Sequence, residues 1–334
     1  MRKQRRENGR EKKYAGIKLA LKSVGFLILI VLGVAVLALG RGRILETRIY
    51  EVPDRVSREE KSGGSRNVDS AVRIVGLADL HGCMIGKDQS RLVRRVRESN
   101  PDIIVYLGDM VDRTRPSESA EALIVLNRQL VDIAPVYYVD GNHEDDVRSS
   151  EPDVYERLNE ELTGAGAVHL NNAFAKVNVL RDSPEEDERN SGEGKTVNIC
   201  GVSTHYYWSE EERKLIEEFR EKDGVNVLIC HYPESVMWYD AFDDGSLDVA
   251  MSGHTHGGLV VVPFKGGMYA PEQGWWPRYF QGAYKIFDDT SWRQYGGGEG
   301  AEYLGTMVIS AGLAGEHGVL RVNNPMEISV VDIR

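Results

Sequence analysis

Residues 71–109 read AVRIVGLADLHGCMIGKDQSRLVRRVRESNPDIIVYLGD, and this stretch decides the fold. AVRIVGLAD (71–79) is a short apolar run ending in Asp79. DQSRLVRRVRES (88–99) has helical spacing, and DIIVYLGD (102–109) is a second apolar run ending in Asp109. Apolar runs of this length without strict alternation read as buried strands. A strand, a helix and a strand in succession predict a layered α/β domain.

The pattern continues outward. A helix is expected from about Ser117 to Val131, a strand over PVYYVDG (135–141), and a glycine-closed helix over 154–166. Short strands follow at 168–170 and 175–180. Strands at 197–203 and 225–230 flank a charged helix from Ser209 to Glu221, and DVAMSG (248–253) is another strand before a strand-rich tail. RDSPEEDERNSGEGKT (181–196) is too polar to pack and reads as a mobile insertion, with a second insertion at 288–302.

Upstream the composition changes. Residues 23–40, SVGFLILIVLGVAVLALG, carry no charge and follow nine Lys and Arg residues. With Leu19, Ala20 and Leu21, and Lys22 snorkelling, the run is long enough to cross a bilayer as a helix. The expected organisation is a basic cytoplasmic tail (1–18), a transmembrane signal-anchor helix (19–40), a stalk (41–70) and a catalytic domain (71–334). The positive-inside rule places that domain outside the cell membrane. A cleaved signal peptide and a buried helix are the alternatives, and Arg5-Arg6 hints weakly at twin-arginine export.

Residues 1–48 hold twelve Lys and Arg against three acidic residues, a net of +9. The remainder holds 29 basic and 49 acidic residues, a net of −20. The basic end suits an anionic membrane, and the acidic domain is a poor match for a nucleic-acid backbone. Cys83, Cys200 and Cys230 show no metal-ligand or disulfide spacing. No obligate protein partner is evident.

The chemistry gathers at the ends of the expected strands. DLHG supplies Asp79 and His81, GDMVDR supplies Asp109, and GNHE supplies Asn142 and His143. CHYPE supplies His231, and GHTHGG supplies His254 and His256. Open α/β sheets bind ligands at strand C-termini. If the chain leaves each strand extended, Asp79 and His81 point one way, and so do His254 and His256. Two carboxylates, an amide oxygen and four imidazoles suit Mn, Fe or Zn. Seven ligands exceed one tetrahedral ion but fit two divalent ions sharing a carboxylate, the recurrent device for phosphate-ester hydrolysis. His169, His205 and His317 have no such context and read as structural. Arg113 is a candidate phosphate clamp, with a surface salt bridge as its alternative. Glu144 either orients His143 or is a solvated turn carboxylate. Asp112 reads as a structural acceptor.

In order, D-x-H, G-D-x-x-D, G-N-H-E, H and G-H-T-H over residues 71–258 resemble the calcineurin-like metallophosphoesterase superfamily. The tail, VVVPFKGGMYAPEQG and ISAGLAGEHGVLRVNNPMEI, is similar to the YkuE/YaeI-like branch of membrane-anchored phosphoesterases. The resemblance implies an α/β fold built as a four-layer double β-sandwich flanked by helices. It implies one metal on Asp79, His81, Asp109 and His256, and a second on Asp109, Asn142, His231 and His254. It makes His143 the catalytic histidine, a general acid, with attack on phosphorus by a hydroxide held between the ions. The implied substrate is a phosphodiester or lipid pyrophosphate, of the UDP-2,3-diacylglucosamine or phospholipid kind. A soluble nucleotide or small phosphodiester is the alternative, and a non-catalytic metal-binding module ranks below both. The branch carries Ser-Arg-Gly where this chain has Ser310-Ala311-Gly312, which bears on substrate choice. Trp275, Trp276, Tyr279 and Phe280 form an aromatic cluster that reads as a buried lid or as a lipid contact.

Overall fold

The computed structural model describes residues 35–54, 71–179, 194–202, 206–242, 245–288, 292–293, 301–314 and 321–334. It also describes positions 24, 26, 28, 32 and 33. Among the described residues no helix is long and apolar enough to cross a membrane. Half of the expected 19–40 helix lies outside the described residues, as do His205 and His317.

The chain opens with β1 (Leu45–Val52), β2 (Val72–Leu77), α1 (Ser90–Glu98) and β3 (Ile103–Leu107). It continues through α2 (Pro116–Leu130), β4 (Val136–Val139), α3 (Asn142–Ser150), α4 (Pro152–Gly164) and β5 (Val168–His169). The second half begins with β6 (Ala173–Val179), β7 (Lys195–Gly201), α5 (Glu210–Arg220), β8 (Val225–Ile229), α6 (Pro233–Trp238) and β9 (Val249–Ser252). Two small hairpins follow, β10 (Val261–Val262) with β11 (Gly266–Gly267), and β12 (Tyr269–Ala270) with β13 (Gly274–Trp275). The described chain closes with β14 (Gly282–Phe287), β15 (Trp292–Arg293), β16 (Tyr303–Ile309) and β17 (Met326–Ile333).

Two sheets result. The first has the order β1-β17-β2-β3-β4-β5, and the second β15-β14-β16-β9-β8-β7-β6. β2 through β5 pair in parallel, as do β7, β8 and β9. Side chains alternate between two cores. Ile103, Val105 and Leu107 of β3 face the second sheet, meeting Val227, Val249 and Met251. Ile104 and Tyr106 face the opposite way, onto Leu92, Val96, Leu123 and Leu158 of the helices. On the second sheet Leu228 and Ala250 turn outward to Ile216 and Phe219 of α5. The layers are therefore helix, sheet, sheet, helix. Burial on both faces explains why these strands read as continuous apolar runs.

The expected stalk needs correction. Its start is β1, which pairs in parallel with β17 from Leu45↔Met326 to Val52↔Ile333. The sequence of β1, LETRIYEV, looks too charged for a strand. Its charges are met locally: Arg48 Nη1 donates to Glu327 at 2.9 Å, and Tyr50 OH donates to the same carboxylate at 2.9 Å. The first expected insertion is shorter than read, because Lys195 and Thr196 belong to β7 opposite Val179 and Asn178. Residues 180–193 lie outside the described set. In the second expected insertion, Trp292 and Arg293 pair with Ile286 and Lys285 of β14.

Candidate metal centre

Asp79 and His81 follow β2, Asp109 follows β3, and Asn142 and His143 open α3 just after β4. His231 follows β8, and His254 and His256 follow β9. Both sheets thus deliver side chains to one point at their C-terminal edge.

The segments do not leave the strands in extended form. Asp79, His81, Asp109, His254 and His256 have φ of 52°, 46°, 53°, 69° and 48°. A left-handed residue turns the chain sharply inward, which an extended segment cannot do over so few residues. Such conformations cost on the order of 1–3 kcal/mol each and persist only where the surroundings enforce them. Here backbone bonds lock the loops to each other: Asp79 N donates to Gly108 O at 3.1 Å, and His81 N donates to Asp109 O at 3.1 Å. Gly108 itself has φ of 88°, and a Cβ there would lie 2.6 Å from His231 Nδ1.

The second sheet's histidines, His231 and His254, are oriented by their outer nitrogens. His231 Nδ1–H donates to Leu107 O at 2.8 Å. That leaves the Nε2 lone pair facing Asn142 Oδ1 at 3.2 Å, Asp109 Oδ2 at 3.3 Å and His254 Nδ1 at 3.2 Å. His254 Nε2–H donates to Glu272 at 2.7 Å, so its Nδ1 is also a bare lone pair. Four electron-rich atoms therefore converge. On the other side, ligand atoms of Asp79, His81 and His256 lie within 4.8 Å of one another. Asp79 Oδ2, both ring nitrogens of His81 and Nδ1 of His256 are buried without a hydrogen-bond partner. Buried polar atoms are ordinarily satisfied. A cluster of orphaned acceptors is what a cation site presents, and the residues fit one.

Electrostatics agree. Burial, with the neighbouring Asp109 charge, pushes Asp79 up to about 7. Burial works against charge on His231, but unless a cation takes the Nε2 lone pair the Asp109 and Asp79 carboxylates draw a proton there, holding the group up at about 10. Two buried carboxylates thus demand positive charge at their centre.

His143 sits against the same cluster, its ring centroid 4.4 Å from that of His81. Its Nδ1 accepts the Arg113 backbone N–H at 3.2 Å, so the neutral ring carries its proton on Nε2. Glu144 takes neither of the roles expected of it. It is buried, and its carboxylate accepts the N–H groups of Asp109, Met110, Val111 and Gly141 at 2.7–3.0 Å. The Arg113 guanidinium pairs with Asp146 at 2.9 Å on an exposed surface, which matches the salt-bridge reading of that residue. Asp112 is a structural acceptor, taking the Thr114 N–H and hydroxyl at 2.8 and 2.7 Å. His169 stacks on Tyr138 and pairs with Asp140 at 3.2 Å, away from the cluster.

Two contributors carried no signal in their own residues. Glu272 lies in the turn of the β12–β13 hairpin, eighteen positions from His254. Asn324 donates from Nδ2 to His256 O at 2.7 Å. Both lie in the tail segments quoted above, but no spacing rule singles them out. Ala311 is fully buried against Gly257, whose added Cβ would lie 2.9 Å from it.

The sequence model of calcineurin-like phosphoesterases matches residues 72–258. YpbG of Bacillus subtilis, an uncharacterized protein, is 27% identical over 185 residues, covering 55% of this chain and 61% of YpbG. The uncharacterized metallophosphoesterase YkuE of the same organism is 23% identical over 248 residues, covering 74% of this chain and 78% of YkuE. A Danio rerio protein named as a transmembrane protein with metallophosphoesterase domain is 27% identical over 220 residues, covering 60% of this chain and 46% of that one. The chain thus spans less than two thirds of the length of YpbG.

Proposed function

The chain belongs to the calcineurin-like phosphoesterase family, and we propose that it is a membrane-anchored hydrolase of phosphodiesters or lipid pyrophosphates that works with two divalent ions. The observation that carries the reading is the meeting of Asp109 Oδ2, Asn142 Oδ1, His231 Nε2 and His254 Nδ1, with both imidazole protons committed outward. Asp79, His81, Asp109 and His256 would hold one ion, and Asp109, Asn142, His231 and His254 the other. Mn, Fe and Zn suit this donor set. Such ions supply Lewis acidity toward phosphoryl oxygens and lower the pKa of water.

The chain's own residues do the rest. Asp109 lies between the two candidate ligand groups, and the backbone N–H of His143 donates to its Oδ1 at 2.9 Å. His143 keeps its proton on Nε2 because Nδ1 is occupied by the Arg113 amide, and it delivers that proton to the leaving oxygen. Glu144 holds the Asp109 loop and the Gly141 turn together.

Membrane placement is supported by the uncharged run 23–40 behind nine basic residues, and by the name of the zebrafish relative. The N-terminus would be cytoplasmic and the metal centre outside.

The test uses residues 45–334, which retain β1, loaded with Mn²⁺ or Zn²⁺. Hydrolysis of bis-p-nitrophenyl phosphate and of the monoester is compared. Metal-dependent turnover favouring the diester, abolished in Asp109→Asn, is expected. His143→Ala should keep both ions and lose mainly kcat. Two bound ions without turnover on either compound or on lipid phosphoesters would sink the proposal.

A further inference from the structure

The apolar N-terminal run, the aromatic hairpins and the metal ligands are tied together by one short strap, residues 322–324. The Asn323 N–H donates to the Ala38 carbonyl at 2.7 Å, at the end of the uncharged run. The Asn323 side chain donates to Val261 O at 3.0 Å, and Val322 bridges Val260 in parallel. Asn324 reaches His256 O. The run therefore ends beside β10, at the base of the β10–β11 hairpin.

These hairpins are built for a partner other than water. Phe264, at the tip of β10–β11, is wholly exposed, and Trp275 and Trp276 are 68% and 43% exposed. Tyr269 packs edge-on against Trp275 across β12–β13. Trp276 N donates to Met268 O at the open end of the β12–β13 ladder, and Lys265 of the β10–β11 turn lies 3.4 Å over the Trp276 ring, which joins the two hairpins. Val36, Leu37 and Leu39 of the adjoining helical turn are likewise exposed. Other members of the expected aromatic cluster turn inward: Tyr279 is buried, and the Phe280 ring packs on Gly258 and Gly267. Exposed Trp and Tyr with a flanking Lys are the composition of a membrane–water interface. An apolar patch next to the point where a membrane-spanning run ends has the bilayer within reach.

We propose that the β10–β11 and β12–β13 hairpins dock into the surface of the bilayer that holds the N-terminal run, turning the metal centre toward phosphoester headgroups in that leaflet. The inference rests on the anchored-phosphoesterase reading and deepens it, because it assigns the substrate to the membrane plane. Docking also bears on the site itself, since the β12–β13 turn carries Glu272, the hydrogen-bond partner of His254.

The full chain is reconstituted into phosphatidylethanolamine–phosphatidylglycerol vesicles, with and without acyl chains brominated near the headgroup. Tryptophan emission is then read, and the same samples are floated on a density gradient. Quenching of the wild type is expected, with loss of that quenching in Trp275→Phe/Trp276→Phe. The buried Trp208 serves as control, so Trp208→Phe should keep the quenching. Thermal melts establish that each variant is folded. Flotation with quenching that the double variant leaves unchanged would overturn the docking and keep the anchor. Absence of flotation would overturn both. Unquenched tryptophans together with cross-linked pairs of chains would mean that a second copy covers the patch, which also overturns the proposal.

Discussion

The carboxylate of Glu144 accepts four backbone N–H groups, three from the loop after β3 and one from the turn after β4. In Glu144→Gln the amide turns its own donors toward donors. Each buried N–H left unmet costs about 1–3 kcal/mol, so a loss of roughly 2–4 kcal/mol is expected in urea unfolding. Weaker metal binding should accompany it, because Asp109 sits in the loop that Glu144 holds. Glu272 acts on one ring only. Glu272→Ala should free His254 to rotate and weaken occupancy of one ion by roughly 10–100-fold in metal titration. Glu272→Gln keeps an acceptor for the Nε2 proton and should retain most of the affinity. The candidate ligands could be picked out as residues, since histidine, aspartate and glycine recur in fixed order at strand ends, and the structure brings them together. Glu144 was visible as a residue but not as a clamp, because the N–H groups that donate to its carboxylate belong to a loop 34 residues away.

Strand ends, rather than strands, decide the geometry. Five candidate ligand residues adopt left-handed backbone, a conformation that Asp and His visit only as occasional single residues, so five together are imposed by the packing of the loops. Helix starts matter as well. Glu234, in the first turn of α6, is buried, and its Oε1 accepts from Gln273 at 2.5 Å. Burial raises it from 4.5 to about 7. The folded state therefore holds this proton more tightly than the unfolded chain. Its contribution to stability is fully present below about pH 4.5 and is lost as pH rises through about 7. Glu234→Gln cannot ionise, so it should gain stability over the wild type at pH 8, by roughly 2–3 kcal/mol, and little at pH 5. Thermal melts at the two pH values check this, and equal gains at both would refute it. The strands β2 to β4 and β7 to β9 were legible as apolar runs, whereas β14 to β17 were read only as a strand-rich tail. β1 was not, because the buried partners of Arg48 and Tyr50 come from β17 and the loop before β14, far along the chain.

At the scale of the molecule the metal centre joins the two sheets, since Asp109 comes from one, and His231 and His254 from the other. Ions bound there should stabilise the whole domain. At a concentration 100 times Kd, each contributes about 2.7 kcal/mol. Chelation should lower the melting temperature of the wild type, and Mn²⁺ or Zn²⁺ should restore it. Asp109→Asn should show a much smaller response, and an equal one would count against the shared-ligand arrangement. The sequence by itself determined the layered α/β class and singled out the Asp, Asn and His residues that gather at the strand ends, while the two-sheet sandwich entered only through the family resemblance. Periodicity and the chemistry of Asp, Asn and His are local properties that need no knowledge of distant neighbours. Only the tertiary structure decided that β1 completes a sheet, that Glu144 and Glu272 orient the ligands, and that exposed aromatics stand beside the end of the apolar run. Each of those depends on a contact between segments remote in the chain, and the pairing of remote segments is set by packing rather than by local order.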